Sequence, residues 1–174
     1  MILFETERII CRRLMPSDID EMYAVYSDAD AMRWVDGGQP IQESECSKWL
    51  TVTLNNYESR GYGMSTLVSR EDKTVISFCG LVHPNNQPET EIKYALHRRF
   101  WGAGLATEAV IAMLEYGRCE FQIPVVIATV ASENIASRRV LLKAGMEVWA
   151  NRYDDNDSSI MVFRWQPGRY SFSG

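Results

Sequence analysis

The chain has 174 residues, 46% of them apolar and 24% charged, which suits one globular domain with a full core and leaves a second domain unneeded. A net charge of −5 argues against a nucleic-acid partner held by a basic surface and fits a cationic small molecule or basic peptide better. No apolar run approaches bilayer-spanning length and Met1 to Arg8 lacks the zones of a signal peptide, so the expectation is a cytoplasmic protein without a membrane partner.

Ile9 to Leu14 alternates weakly and is rich in β-formers. Pro16-Ser17-Asp18 then opens a helix running to Tyr26, with Asp18 and Glu21 at capping-box spacing. Beyond Asp28-Ala29-Asp30 and the breaker Gly37-Gly38-Gln39-Pro40, a second helix spans Glu43 to Ser59. Its apolar stripe is Cys46, Trp49, Leu50, Thr53, Leu54 and Tyr57, and Gly61 lies just past its end. The middle reads as a β-meander of Met64 to Val68, Thr74 to Val82 and Thr90 to Leu96, parted by Arg70-Glu71-Asp72-Lys73 and Pro84-Asn85-Asn86-Gln87-Pro88. A glycine-rich turn follows, then a helix with Leu105, Ala109, Ala112, Met113 and Tyr116 on one side. Pro124 to Val130 is a β-branched run typical of a strand buried on both faces, and Asn134 to Ala144 reads as a helix stopped by Gly145. The last pair, Glu147 to Ala150 and Ser159 to Trp165, is joined by Asp154-Asp155-Asn156-Asp157. The order β, α, α, β, β, β, α, β, α, β, β predicts an α/β (α+β) fold, a mixed sheet with helices on its faces. Residues 1–166 form the domain and 167–174 a loose tail.

Cys11, Cys46, Cys79 and Cys119 are scattered, with no Cys-x-x-Cys, which predicts free thiols. With His83 and His97 as the only histidines, neither a histidine-based metal site nor a histidine triad is expected.

The most informative segment is Arg99-Phe100-Trp101-Gly102-Ala103-Gly104-Leu105-Ala106-Thr107. Two glycines one residue apart let the backbone approach a ligand and take positive φ. The amides opening the next helix have no intrahelical partner and favour a phosphate or pyrophosphate. The same glycines would also serve a plain strand-to-helix connection. A dinucleotide fingerprint fits worse, because Thr107 stands where a third glycine or alanine belongs and one βα unit follows. A Walker loop would need Gly-Lys-Ser/Thr, which is absent.

Four segments in order resemble the GCN5-related N-acetyltransferase (GNAT) superfamily, and within it the branch of ribosomal-protein N-terminal acetyltransferases. They are Phe4-Glu5-Thr6-Glu7-Arg8-Ile9, Glu91-Ile92-Lys93-Tyr94, Arg99-x-x-Gly102-x-Gly104 with Leu105-Ala106-Thr107-Glu108-Ala109, and Asn134-Ile135-Ala136-Ser137 through Lys143-Ala144-Gly145-Met146. The resemblance implies a GNAT fold with a mixed sheet of about seven strands flanked by about four helices. It also implies that the fourth and fifth strands splay, so that acetyl coenzyme A inserts its pantetheine arm between the Thr90 to Leu96 strand and the Pro124 to Val130 strand. Backbone amides of Trp101, Gly102, Ala103, Gly104, Leu105 and Ala106 would cradle the pyrophosphate, with Thr107 an extra donor and Arg99 shaping the loop. Asn134 would meet the pantetheine or a structural water, or cap the following helix.

The implied activity is acetyl transfer to a primary amine in a ternary complex, without metal or covalent enzyme intermediate. The expected acceptor is a protein or peptide N-terminal α-amine. A small amine (polyamine, amino acid or aminated antibiotic) is the alternative within the same chemistry, and a non-catalytic acyl coenzyme A sensor or a nucleotide-binding regulator the alternatives outside it; the protein would be a monomer or homodimer. Glu91 is the candidate general base, with Glu89 second, and Glu91 could instead be a solvent-facing strand residue. Amides of Tyr94 to Leu96 would hold the oxyanion. Many members of the superfamily carry a tyrosine at the position of Leu141, so Ser137 or water must protonate the leaving thiolate here, unless Ser137 is only a small packing residue. An α-amine with pKa about 8 is roughly a tenth neutral at pH 7, against about four molecules in ten thousand for a lysine, and so needs less help. Trp34, Trp49, Tyr57, Tyr62, Asp28, Asp30 and Asp36 fall where the acceptor site would be walled.

Overall fold

The computed structural model describes residues 1–34, 38–149 and 159–168. Asp36, Gly37, Ala150, the Asp154 to Asp157 turn and the expected tail beyond Gly168 lie outside the described residues. The chain opens with strands β1 (Ile2–Glu5) and β2 (Ile9–Arg13), then helices α1 (Ile19–Tyr26), α2 (Ala29–Met32) and α3 (Glu43–Arg60). The meander β3 (Met64–Ser69), β4 (Val75–Val82) and β5 (Thr90–Leu96) leads into α4 (Leu105–Phe121), and β6 (Val126–Ala131), α5 (Ile135–Lys143), β7 (Glu147–Val148) and β8 (Ile160–Trp165) complete it.

These strands form one sheet in the order β1-β2-β3-β4-β5-β6-β8-β7. Every neighbouring pair is antiparallel except β5 and β6, which are parallel because α4 carries the chain back across the sheet. The mixed sheet with helices on its faces is as the alternation of elements predicts. Two elements exceed the expected order: β1, a four-residue strand paired to β2 in a hairpin, and the one-turn helix α2, which Asp28 caps by accepting from the Asp30 and Ala31 amides.

Helices cover both faces, so two apolar clusters form. One joins Cys11, Leu67, Cys79, Leu81 and Ile92 of the sheet to Val110, Met113 and Leu114 of α4 and Leu141 of α5. The other sets Phe78 and Ala95 against Met22, Val25, Tyr26, Cys46 and Leu50 of α1 and α3. Strand alternation alone would put Ile76 beside Phe78. The β3–β4 register jumps from Leu67↔Ser77 to Val68↔Val75, and the extra residue turns Ile76 to the α4 side.

Asp18 does not cap α1 with its side chain, contrary to the capping-box spacing. Its carboxylate is 3% exposed and accepts from Arg12 on both oxygens at 2.7 Å, from the Met15 amide at 2.9 Å and from Thr66 Oγ1 at 2.8 Å. A buried carboxylate is costly unless its lone pairs are filled, so it serves the site that fills them. Burial alone would raise its pKa; these hydrogen bonds outweigh that and hold it below the usual carboxylate value. No described helix is long and apolar enough to cross a membrane.

Candidate active site

The sheet divides in its middle. β5 pairs with β4 over its length, from Glu91↔Val82 to Leu96↔Ser77, while β6 pairs with β8 from Val126↔Trp165 to Ala131↔Ile160. Between them the parallel ladder holds only Thr90↔Val126 and Glu91↔Ile127. Past Glu91 the strands part, leaving a slot between Ile92–Leu96 and Ala128–Ala131.

Side chains end the ladder. The Glu91 carboxylate accepts from the Thr129 amide at 3.3 Å and from the Thr129 hydroxyl, and pairs with Lys93 Nζ at 2.7 Å. Its other oxygen accepts from Gln87 Nε2 at 3.2 Å. Thus a carboxylate takes the Thr129 N–H that would otherwise look for a partner across the gap. Glu91 is 2% exposed, so the solvent-facing alternative does not hold.

Farther along the slot, Tyr94 Oη lies 2.5 Å from Ser137 Oγ, in the first turn of α5. Burial pushes the Tyr94 phenol up to about 12, with the Ser137 hydrogen bond acting in the opposite direction. The Asn134 side chain accepts from the Ser137 amide at 3.1 Å, so Asn134 caps α5 and fixes the backbone that carries Ser137. Leu141, one turn on, is 1% exposed and belongs to the core, with no opening toward the slot. No local motif marks the phenol of Tyr94. Its signal was the alternation Ile92, Tyr94, Leu96, which aims all three toward α4 and α5.

At the end of β5, a one-turn 3-10 segment (Arg98–Phe100) reverses the chain into the glycine loop. Trp101 pins it there by donating Nε1–H to the Leu96 carbonyl at 3.1 Å. Gly102 has φ +75 and Gly104 φ +79, values that L side chains rarely adopt, and a Cβ on Gly102 would meet nothing within 4 Å. Gly104 is the N-cap of α4 and supplies no side-chain acceptor, so the amides of the first turn depend on something outside the helix. Leu105 buries its side chain and offers only its amide, while Arg99 is exposed and lays its guanidinium 4.9 Å from the Phe100 ring centre. An open-sided cradle of unfilled N–H groups with no Cβ in the way suits a pyrophosphate.

The acceptor side differs from expectation. Trp49 packs edge-on against Tyr26 at 5.0 Å, Tyr57 is buried with its hydroxyl bonded to the Leu14 amide and the Met64 carbonyl, and Tyr62 packs on Phe121 at 5.0 Å. These three are packing residues. Only Trp34 of the four aromatics is exposed. Asp28 and Asp30 both reach Arg98 at 2.7 Å, and Glu21 meets His97 Nε2 at 2.9 Å. Together Glu21, Ala24, Asp28, His97, Arg98 and Arg99 line a cleft of about 390 Å³ beside the glycine loop. No group of residues able to hold a metal occurs among the described residues.

Comparison with known proteins shows the family and the fold. Residues 8–147 match the sequence model of the acetyltransferase (GNAT) domain. An uncharacterised Bacillus subtilis protein, YkkB, is 33% identical over 146 residues, covering 81% of this chain and 83% of its own. Among solved structures, an acetyltransferase from Agrobacterium tumefaciens superposes with a TM-score of 0.77 at 23% identity, over 94% of this chain and 93% of its own. The ribosomal alpha-N-protein acetyltransferase RimL, in complex with coenzyme A, gives 0.76 at 15% identity over 95% and 98%.

Proposed function

Because the chain belongs to the GNAT acetyltransferase family, we propose that it transfers the acetyl group of acetyl coenzyme A to a primary amine, most specifically the N-terminal α-amine of a protein or peptide. The carrying observation is the parting of β5 from β6 after Glu91, with the glycine loop and the uncapped start of α4 at the end of the slot. The Trp101 amide donates to the Arg98 carbonyl at 3.1 Å and so drops out of the expected cradle; in this reading the loop amides from Gly102 to Ala106 and Thr107 hold the pyrophosphate, and the pantetheine arm lies along the open edges of β5 and β6.

The amine nitrogen attacks the thioester carbon, the carbon–sulfur bond breaks, the amine loses a proton and the thiolate gains one. Glu91 is the proposed base. Thr129, Lys93 and Gln87 already occupy its carboxylate, so it takes up the proton by way of the Thr129 hydroxyl, which donates to it directly. Ser137, oriented by Tyr94 and by the Asn134 cap, donates toward the leaving sulfur. A base so occupied favours an amine that is already partly neutral, which supports an α-amine over a lysine. The RimL likeness is consistent with that acceptor class.

The test is mass-spectrometric detection of labelled acetyl transfer to peptides with free or blocked N-termini, beside spermidine and free amino acids. Transfer to the free N-terminus alone supports the reading. Efficient acetylation of a blocked, lysine-containing peptide, or of spermidine alone, overturns the acceptor. For the base, Glu91→Gln should shift the rate profile to higher pH, and a profile that overlays the unaltered enzyme's removes Glu91 from the chemistry.

A further inference from the structure

The turn between β1 and β2 reaches across to the glycine loop. Arg8 Nε and its NH2 group each lie 2.7 Å from Glu108 Oε2, in the first turn of α4, and the Arg8 amide donates to Glu108 Oε1 at 3.0 Å. Thr6 Oγ1 donates to the same Oε1 at 2.6 Å. The remaining guanidinium nitrogen, NH1, donates to the Ala103 carbonyl at 2.8 Å, inside the loop. The turn is in turn fastened to β3: the Arg70 amide donates to the Arg8 carbonyl at 3.0 Å and Arg70 NH1 to the Thr6 carbonyl at 2.7 Å.

We propose that Arg8 and Glu108 are positioning residues that set the glycine loop in its phosphate-accepting form, an inference that rests on the loop being the coenzyme site. Two physical arguments carry it. In a trans peptide the C=O and the following N–H point in opposite directions, so holding the Ala103 carbonyl toward Arg8 turns the Gly104 N–H to the other side, outward from the turn. A fork of five donors in fixed geometry can hold a carboxylate and a carbonyl at once, which a lysine cannot. The second argument is charge. A carboxylate in the first turn of a helix competes with an anionic ligand for the same positive end of the dipole. Arg8 neutralises Glu108 in place, so the helix start keeps its attraction for phosphate. Burial would raise the Glu108 pKa, yet the bonds from Thr6 and Arg8 outweigh it and lower the value, so the carboxylate is charged at neutral pH and needs its partner.

A plain structural tie would behave differently, because it would affect every ligand and the free protein alike. The discriminating measurement is binding of coenzyme A, by calorimetry, against binding of pantetheine, which has the same arm and no phosphate, by ligand-observed NMR. Arg8→Ala should weaken coenzyme A about tenfold and leave pantetheine within about twofold. Arg8→Lys, which keeps the charge without the fork and guards against misfolding of the alanine variant, should weaken coenzyme A about threefold with the same selectivity. Adding Glu108→Gln to Arg8→Ala should recover the share of the affinity lost to charge, since no carboxylate without its cation then faces the phosphates, while the share due to the Ala103 carbonyl stays lost. Equal weakening of both ligands, or of neither, overturns the proposal. If the unaltered protein binds coenzyme A no better than pantetheine, the loop is not the phosphate site and both readings fall together. If it discriminates strongly and the Arg8 variants discriminate as well, only the role of Arg8 and Glu108 falls.

Discussion

The two faces of the sheet beyond the end of β5 are built from different materials. On the glycine-loop side the groups left unpaired are main-chain: unfilled amides at the start of α4 and two glycines at positive φ, with the side chains around them acting as braces. On the α1–α2 side nearly every polar side chain is already paired, Asp28 and Asp30 with Arg98 and Glu21 with His97. A backbone cradle recognises a constant feature such as a pyrophosphate and leaves little for substitution to retune. A wall of exposed ion pairs, each worth about 0–1 kcal/mol, can be rearranged by a single substitution or by an incoming charged ligand. Under the proposed function, such a fold would keep its donor and vary its acceptor.

Substitution effects should rank accordingly. Gly102→Val places a β-branched residue at φ +75 where nothing else crowds it, so the fold should survive while coenzyme A affinity drops more than about a hundredfold; unchanged affinity by calorimetry would break the contrast outright. Asp18→Asn, beneath α1, removes one partner of a buried ion pair and should cost about 3 kcal/mol in urea unfolding. Because the folded pKa of Asp18 lies below the unfolded value, its contribution is complete above about pH 4 and fades as pH falls through the folded pKa. A stability curve flat from pH 6 to pH 2 would contradict this. Ser137→Ala should lower kcat about thirtyfold with little change in the donor's KM, and Tyr94→Phe should lower it less, with the double variant no worse than Ser137→Ala alone; additive losses would mean that the two hydroxyls act separately. Asp30→Asn, at an exposed pair, should change the acceptor KM by no more than about threefold. A larger change would move Asp30 from the rearrangeable wall into the recognition site.

The sequence made the long, periodic elements plain. The Thr90 to Leu96 strand is observed with the same limits, and α3 runs one residue past the expected Ser59 to Arg60, because alternation, stripe and flanking breakers all agree there. β1 and α2 are four residues each, too short for periodicity to register. In the candidate site, the turn of the glycine loop was readable because its pattern lies in consecutive residues. Glu91 could be named from the resemblance, but not its surroundings, since a carboxylate on a strand looks solvated until its burial beside Lys93 and Thr129 is known. Arg8 and Glu108 are 100 positions apart, and no local pattern links them. Leu141 could be seen as a departure from the family's tyrosine, whereas the nearby phenol of Tyr94 depends on how α5 is laid over β5.

The parting of β5 and β6 also gives the sheet a seam. Most sheets are weakest at their rims, where strands lack a neighbour; here two strands with one free edge each face one another at the centre. The seam is shielded from other chains by its own walls, so it invites a narrow hydrogen-bonding arm and resists the strand-to-strand aggregation that an outer edge risks. Amides lining it should exchange with deuterium faster than their central place in the sheet would suggest, and slow when the arm is bound, as though the ligand were the missing stitch.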